Sequence, residues 1–225
     1  MSKVPALNSN TLFVSYDARG WYEGKKRGDS TYGKKEATDL LQIIRHVEKI
    51  FKPSEIITYG LSLGGGTIYN LLLENGNEMT ESNVKKSFII DSGYYNLKDQ
   101  LIFYVNQFLG VNLGSIVMSP ALWLYGLDTN TKMSFNAYEA VSTLNVDLML
   151  LHSQADKIVN WKFSCDINKA RNNNNLNNHT KTWITPLAEG IHHVSFFIEK
   201  KNEFQKYVGE FLNDNFIDVG AEDCE

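Results

Sequence analysis

The sequence predicts an α/β domain, a mostly parallel sheet flanked by helices. Three observations predict it. Short β-branched and aromatic runs alternate with stretches of helical periodicity. Most of these runs stop at a turn-prone group carrying Asp, Ser or Gly. A chain of 225 residues, 43% of them hydrophobic, can bury one substantial core but not two. One domain over residues 1–225 is therefore expected, with its chemistry on the loops at the C-terminal ends of the strands.

Residues 11–16 (TLFVSY) read as a buried strand that stops at Asp17-Ala18-Arg19-Gly20, with Asp17 and Arg19 as a hydrogen-bonded pair steadying that loop. In Lys34–Phe51 the apolar residues Ala37, Leu40, Leu41, Ile44, Val47 and Ile50 recur at three and four, the spacing of one helix face, and Pro53 forces the next element. Residues 55–59 (EIITY) form a second strand that runs into Gly60-Leu61-Ser62-Leu63-Gly64-Gly65-Gly66, followed by a helical stretch over 67–74. Residues 87–90 (SFII) make a third strand, ending at Asp91-Ser92-Gly93. Residues 146–151 (VDLMLL) make a fourth, ending at His152-Ser153-Gln154-Ala155-Asp156, and 180–184 (TKTWI) a fifth.

Two stretches break the rhythm. Residues 97–145 are apolar and aromatic, with Phe103, Tyr104, Phe108, Trp123 and Tyr125 and no clear strand, and read as a helical cap inserted above the sheet. The Asn-rich run 172–178 reads as a solvated loop before the last strand, and the acidic tail from Asp218 as frayed.

Composition excludes several functions. The net charge of −4, with dispersed Lys and Arg, offers nothing to neutralise a phosphate backbone, so no nucleic acid partner is expected. Cys165 and Cys224 lie far apart and belong to no metal or redox spacing, which reads as free thiols in a reducing, cytoplasmic setting. No apolar stretch approaches the ~20 residues of a membrane span. His192-His193 is not a ligand spacing, and no metal is expected.

The chemistry centres on Ser62. Gly60-Leu61-Ser62-Leu63-Gly64 matches G-x-S-x-G, in which the serine stands on a sharp strand-to-helix turn with its hydroxyl clear of the sheet. By chance such a pentapeptide arises about 0.08 times in a chain of this composition, so the preceding strand and following helix are what give it meaning. The backbone N–H of Leu63 then serves as one oxyanion donor. A serine needs a base to take its proton, and a carboxylate to fix that base's tautomer. Asp156, after the fourth strand, supplies the acid. His193, after the fifth, supplies the base, with adjacent His192 as rival because neighbouring residues leave the register open. Asp91 is a rival acid read instead as structuring its turn; His152 is read as holding the Asp156 loop, and His46 and His179 as surface residues.

Tyr16-Asp17-Ala18-Arg19-Gly20, Tyr59 to Gly65, Asp91-Ser92-Gly93, His152 to Asp156 and Gly190-Ile191-His192-His193, in that order, resemble the α/β-hydrolase superfamily, in particular small bacterial serine hydrolases with a short helical cap. The resemblance implies Asp156 as acid and His193 as base. It also implies esterase, lipase, thioesterase or peptidase chemistry on a small acyl substrate, through an acyl-enzyme and without a cofactor.

One departure carries an expectation. Members of the superfamily usually place earlier strands, and a loop often beginning His-Gly that supplies the second oxyanion N–H, ahead of the strand matching TLFVSY. Only ten residues precede it here, so an N-terminally truncated form of the fold, with an exposed first strand, is expected. A missing N-terminal segment or a partner chain would complete it. Loss of one oxyanion donor costs about 100- to 1,000-fold in rate, which leaves a non-catalytic module as the competing reading. A membrane-surface role for Trp123 and Tyr125 ranks below a plain lid.

Overall fold

The computed structural model describes residues 11–22, 25–27, 30–110, 135–176, 179–213 and 224. Its centre is a sheet of four parallel strands in the order β3 (Glu55–Leu61), β4 (Lys85–Asp91), β5 (Asp147–Ser153) and β6 (Thr180–Thr185). Ahead of it, β1 (Gly20–Tyr22) and β2 (Lys25–Arg27) pair antiparallel as a separate ribbon.

Parallel neighbours need crossovers, and helices supply them. α1 (Lys34–Phe51) follows the predicted bounds and buries Ala37, Leu40, Leu41 and Ile44. Its start is held by Glu36, whose carboxylate accepts the N–H groups of Thr31 and Gly33 at 2.8 and 3.0 Å and the hydroxyls of Ser30 and Thr31 at 2.9 and 2.6 Å. α2 (Leu63–Glu81) leads from β3 to β4. α3 (Leu97–Leu109) and α4 (Tyr138–Thr143) lie between β4 and β5, and α5 (Lys162–Asn173) between β5 and β6. α6 (Phe196–Glu199) and α7 (Lys201–Leu212) close the described chain apart from Cys224.

Side chains alternate across the strands, which splits the core into two layers. Phe88 and Ile90 of β4 and Leu148 and Leu150 of β5 pack with α1, α2 and α4. Ile89, Met149 and Leu151 face the other way, against Trp183, Phe196, Phe204, Val208 and Phe211. Burying each such side chain contributes about 1.5–3 kcal/mol.

One buried cation ties the second half together. Arg171 of α5 is wholly buried and donates to Thr180 Oγ1 and to the carbonyls of Val141, Leu144, Val146 and His179, at 2.6 to 3.3 Å. Burial pulls its pKa down to about 10.

Three expectations are corrected. Residues 11–16 are not a buried strand: they make no ladder, and Leu12, Phe13, Val14 and Tyr16 are exposed. β-branched composition favours extended backbone, but a strand exists only with a partner, and among the described residues β3 pairs on its β4 side alone. Among the described residues the sheet therefore begins at β3, where Ile57, Tyr59 and Leu61 are partly exposed. Arg19 pairs not with Asp17 but with Asp39 of α1, through two hydrogen bonds of 2.7 and 2.6 Å, because the helix presents a carboxylate to the planar guanidinium. Cys165 and Cys224 are not free thiols; they form a disulfide, their Cα atoms 5.2 Å apart, which anchors the tail at residue 224. The inference of a reducing compartment falls with the free thiols.

Of the expected cap over 97–145, 97–109 form α3, and 111–134, with Trp123 and Tyr125, lie outside the described residues. Of the Asn-rich run, residues 172–175 are exposed, while 177 and 178 also lie outside. Among the described residues no helix is long and apolar enough to cross a membrane.

Candidate active site

β3 delivers Ser62 to the C-terminal edge of the sheet. Ser62 N–H donates to Asp91 O at 2.8 Å and its carbonyl accepts from Gly66 N–H at 3.0 Å, so one residue ends a strand and opens a helix. That double duty forces φ 51°, ψ −109°, a conformation L-residues rarely adopt and one that persists only where surroundings impose it. The flanking glycines are steric requirements. A Cβ on Gly60 would stand 2.5 Å from the backbone of Gly64, and one on Gly65 would stand 2.7 Å from Gly93 Cα. Leu63 is the first residue of α2, where backbone N–H groups have no intrahelical acceptor.

The loop after β5 carries Asp156, the candidate acid. Asp156 is buried, its Oδ1 accepting from the N–H groups of Ile158 and Val159 at 2.8 and 3.0 Å. Its Oδ2 accepts from His193 Nδ1 at 2.7 Å, and His152 Nε2 lies 3.4 Å from the same oxygen. Burial pushes this carboxyl's pKa up, but the hydrogen bonds and charges of His152 and His193 outweigh it and hold the group well below the usual carboxylate range.

The register of the two adjacent histidines is resolved. His193 meets Asp156, while His192 is exposed and offers its carbonyl to Ser195 N–H. Because Nδ1 of His193 faces a carboxylate, it carries the proton, which leaves Nε2 as the basic nitrogen. Among the described residues no hydrogen bond joins Ser62 to His193.

The rival groups have other work. Asp91 is fully buried and accepts from Tyr59 Oη and Ser92 Oγ, each at 3.0 Å; burial pushes its pKa up. His46 is exposed on α1, and His179 bonds Asp147 at 2.9 Å. His152 holds the acid loop as expected, through Val159 O. A second clamp on that loop carried no sequence signal. Gln100 of α3 donates to Ile158 O at 2.6 Å and accepts from Asn160 N–H at 3.4 Å, partners 58 and 60 residues away.

A groove of about 530 Å³ runs between residues 12–16 and α1 and touches none of Ser62, Asp156 and His193, so it is no substrate site for them. Of the aromatics of the insertion, Tyr104 and Phe108 are exposed, 48% and 83% accessible, and Phe103 is half-buried. No group of three or more His, Cys, Asp or Glu among the described residues could hold a metal ion.

No family model matches the chain, and no curated protein does. Solved structures do. Esterase Pf2001 of Pyrococcus furiosus superposes with a TM-score of 0.60 at 20% identity, over 84% of this chain and 65% of that one. An esterase of Exiguobacterium antarcticum gives 0.55 at 14%, over 88% and 80%. An α/β hydrolase from a deep-sea metagenome library of the Medee basin gives 0.58 at 11%, over 96% and 84%. The chain thus spans less than two thirds of the Pyrococcus esterase's length. At these identities the likeness is one of fold, and the fold of this chain is that of the α/β hydrolases.

Proposed function

We propose that the chain is a serine hydrolase that cleaves a small acyl ester, thioester or amide through an acyl-enzyme on Ser62. One observation carries this reading. A buried, ionised Asp156 holds His193 by Nδ1 at 2.7 Å, and the parallel sheet that presents this pair also presents a serine in strained backbone at its C-terminal edge. A carboxylate-oriented imidazole and a serine hydroxyl at the sheet's C-terminal edge are the parts nucleophilic acyl transfer requires.

In this reading His193 Nε2 takes the Ser62 proton as Oγ adds to the carbonyl carbon, and Leu63 N–H donates to the oxyanion that forms. His193 then protonates the leaving group. Water, deprotonated by the same nitrogen, releases the acid and restores Ser62. Asp156 keeps the proton of His193 on Nδ1 and stabilises the charged ring while it exists. The solved esterases of the same fold support an ester as the first substrate to try.

The test is hydrolysis of a p-nitrophenyl ester series from acetate to octanoate. The reading requires turnover by the native chain and none above background with Ser62→Ala. Equal turnover by the two proteins would refute it.

A further inference from the structure

His152 is the second imidazole on the acid, and its surroundings dictate which nitrogen carries its proton. The ring is wholly buried at the end of β5. Its Nε2 faces two acceptors, Val159 O at 3.3 Å and Asp156 Oδ2 at 3.4 Å, and its Nδ1 lies 2.8 Å from Ser164 Oγ of α5, itself wholly buried. A nitrogen between a carbonyl and a carboxylate must donate, so Nε2 holds the proton and Nδ1 accepts from the Ser164 hydroxyl. His193 has the opposite arrangement, its proton on Nδ1 toward the same carboxylate oxygen.

We propose that His152 is a positioning residue for the catalytic carboxylate: its Nε2–H and His193 Nδ1–H clamp Asp156 Oδ2 from two sides, while the N–H groups of Ile158 and Val159 hold Oδ1. This rests on the serine-hydrolase reading of Ser62. Without His152, Oδ2 is held by the His193 ring alone, so the carboxylate can tilt about its Oδ1 anchor and carry that ring with it. With four donors it has one orientation, and so does the imidazole that must reach Ser62. Holding the loop would require only the bond to Val159 O. The contact to Oδ2 adds control of the base.

The experiment compares His152→Leu, which removes the donor, with His152→Gln, whose amide keeps an N–H on that side. Steady-state hydrolysis of p-nitrophenyl butyrate and the rate of inactivation by a fluorophosphonate probe are measured on chains shown to be folded by circular dichroism. Hydrogen bonds to a charged group are worth about 1.5 kcal/mol or more, so His152→Leu is expected to lower kcat and the inactivation rate about tenfold, and His152→Gln to recover most of that loss. KM is expected to move by less than about twofold, since Asp156 does not touch substrate. Unchanged kcat in folded His152→Leu, or a loss that His152→Gln does not recover, would overturn the proposal.

Long-range ¹⁵N–¹H NMR of the native chain decides independently of folding of the variants and of turnover. A proton on His152 Nε2 supports the clamp, and one on Nδ1 alone overturns it. A native chain that neither turns over nor labels sinks the hydrolase reading instead, so the two failures are distinguishable.

Discussion

Asp156 and His193 stand 37 residues apart in sequence, yet the carboxylate of one accepts the ring N–H of the other at 2.7 Å. The pair is the structural centre of the proposed activity, and it ties catalysis to stability through one buried charge. Asp156→Asn presents an amide where the carboxylate was. It no longer compels His193 to keep its proton on Nδ1, and a fall in kcat of about 1,000- to 10,000-fold is expected while Ser62 stays in place. Assay of folded Asp156→Asn against the native chain measures it.

The same residue predicts an acid limb of stability. Its folded pKa lies below the unfolded value of about 3.9, so its contribution is complete above that value and is lost as pH falls through the folded one. Asp91, raised by burial, acts with the opposite sign: its contribution is complete below the unfolded value and is lost as pH rises, so it cannot cause loss in acid. Urea titrations at pH 7 and pH 3 should show the native chain losing more stability than Asp156→Asn. Equal losses would remove Asp156 as the source.

Gly60→Ala tests the elbow separately from the triad. A methyl 2.5 Å from the backbone of Gly64 must displace the turn that holds Ser62. Activity should drop at least about 100-fold, since misplacement of reacting groups by about 1 Å has that effect. Gly110→Ala is the control: its methyl meets nothing within 4 Å but strains a left-handed cap at φ 68°, so it should cost stability of α3 and leave activity unchanged. Both are assayed with the same ester.

Removing the Arg171 guanidinium strands several buried carbonyls at once. Arg171→Met should cost about 3 kcal/mol or more in urea unfolding. Arg171→Lys should recover little of it, because an ammonium cannot reach the same carbonyls and Thr180 together.

The disulfide closes a loop spanning 59 residues. Reduction, or the paired change Cys165→Ser with Cys224→Ser, should lower stability by about 4 kcal/mol. Alkylation before and after reduction, read by mass, shows whether the thiols are bonded. Two alkylated cysteines in the unreduced chain would contradict the bond.

Much of the sheet was legible because β4 and β5 are buried on both faces. The runs at 88–90 and 148–151 are continuously apolar for that reason, and helix α1 declared itself through a clean three-and-four spacing. Residues 11–16 have an equally strong local signal but no ladder, since strand pairing is not a local property. Position after the fourth and fifth strands singled out Asp156 as candidate acid and narrowed the candidate base to two residues. Only the turn that exposes His192 and directs His193 inward chooses between them. Gln100, Arg171 and the cysteine pair act on partners distant in sequence, and no spacing announces such contacts.

The central claim, that Ser62 is an activated nucleophile, is tested most directly by incubating the native chain, Ser62→Ala and His193→Ala with a fluorophosphonate probe and locating the adduct by peptide mass spectrometry. The account predicts one adduct, on Ser62, formed by the native chain and absent from both variants. A folded native chain that forms no adduct, or forms it on another residue, would contradict it.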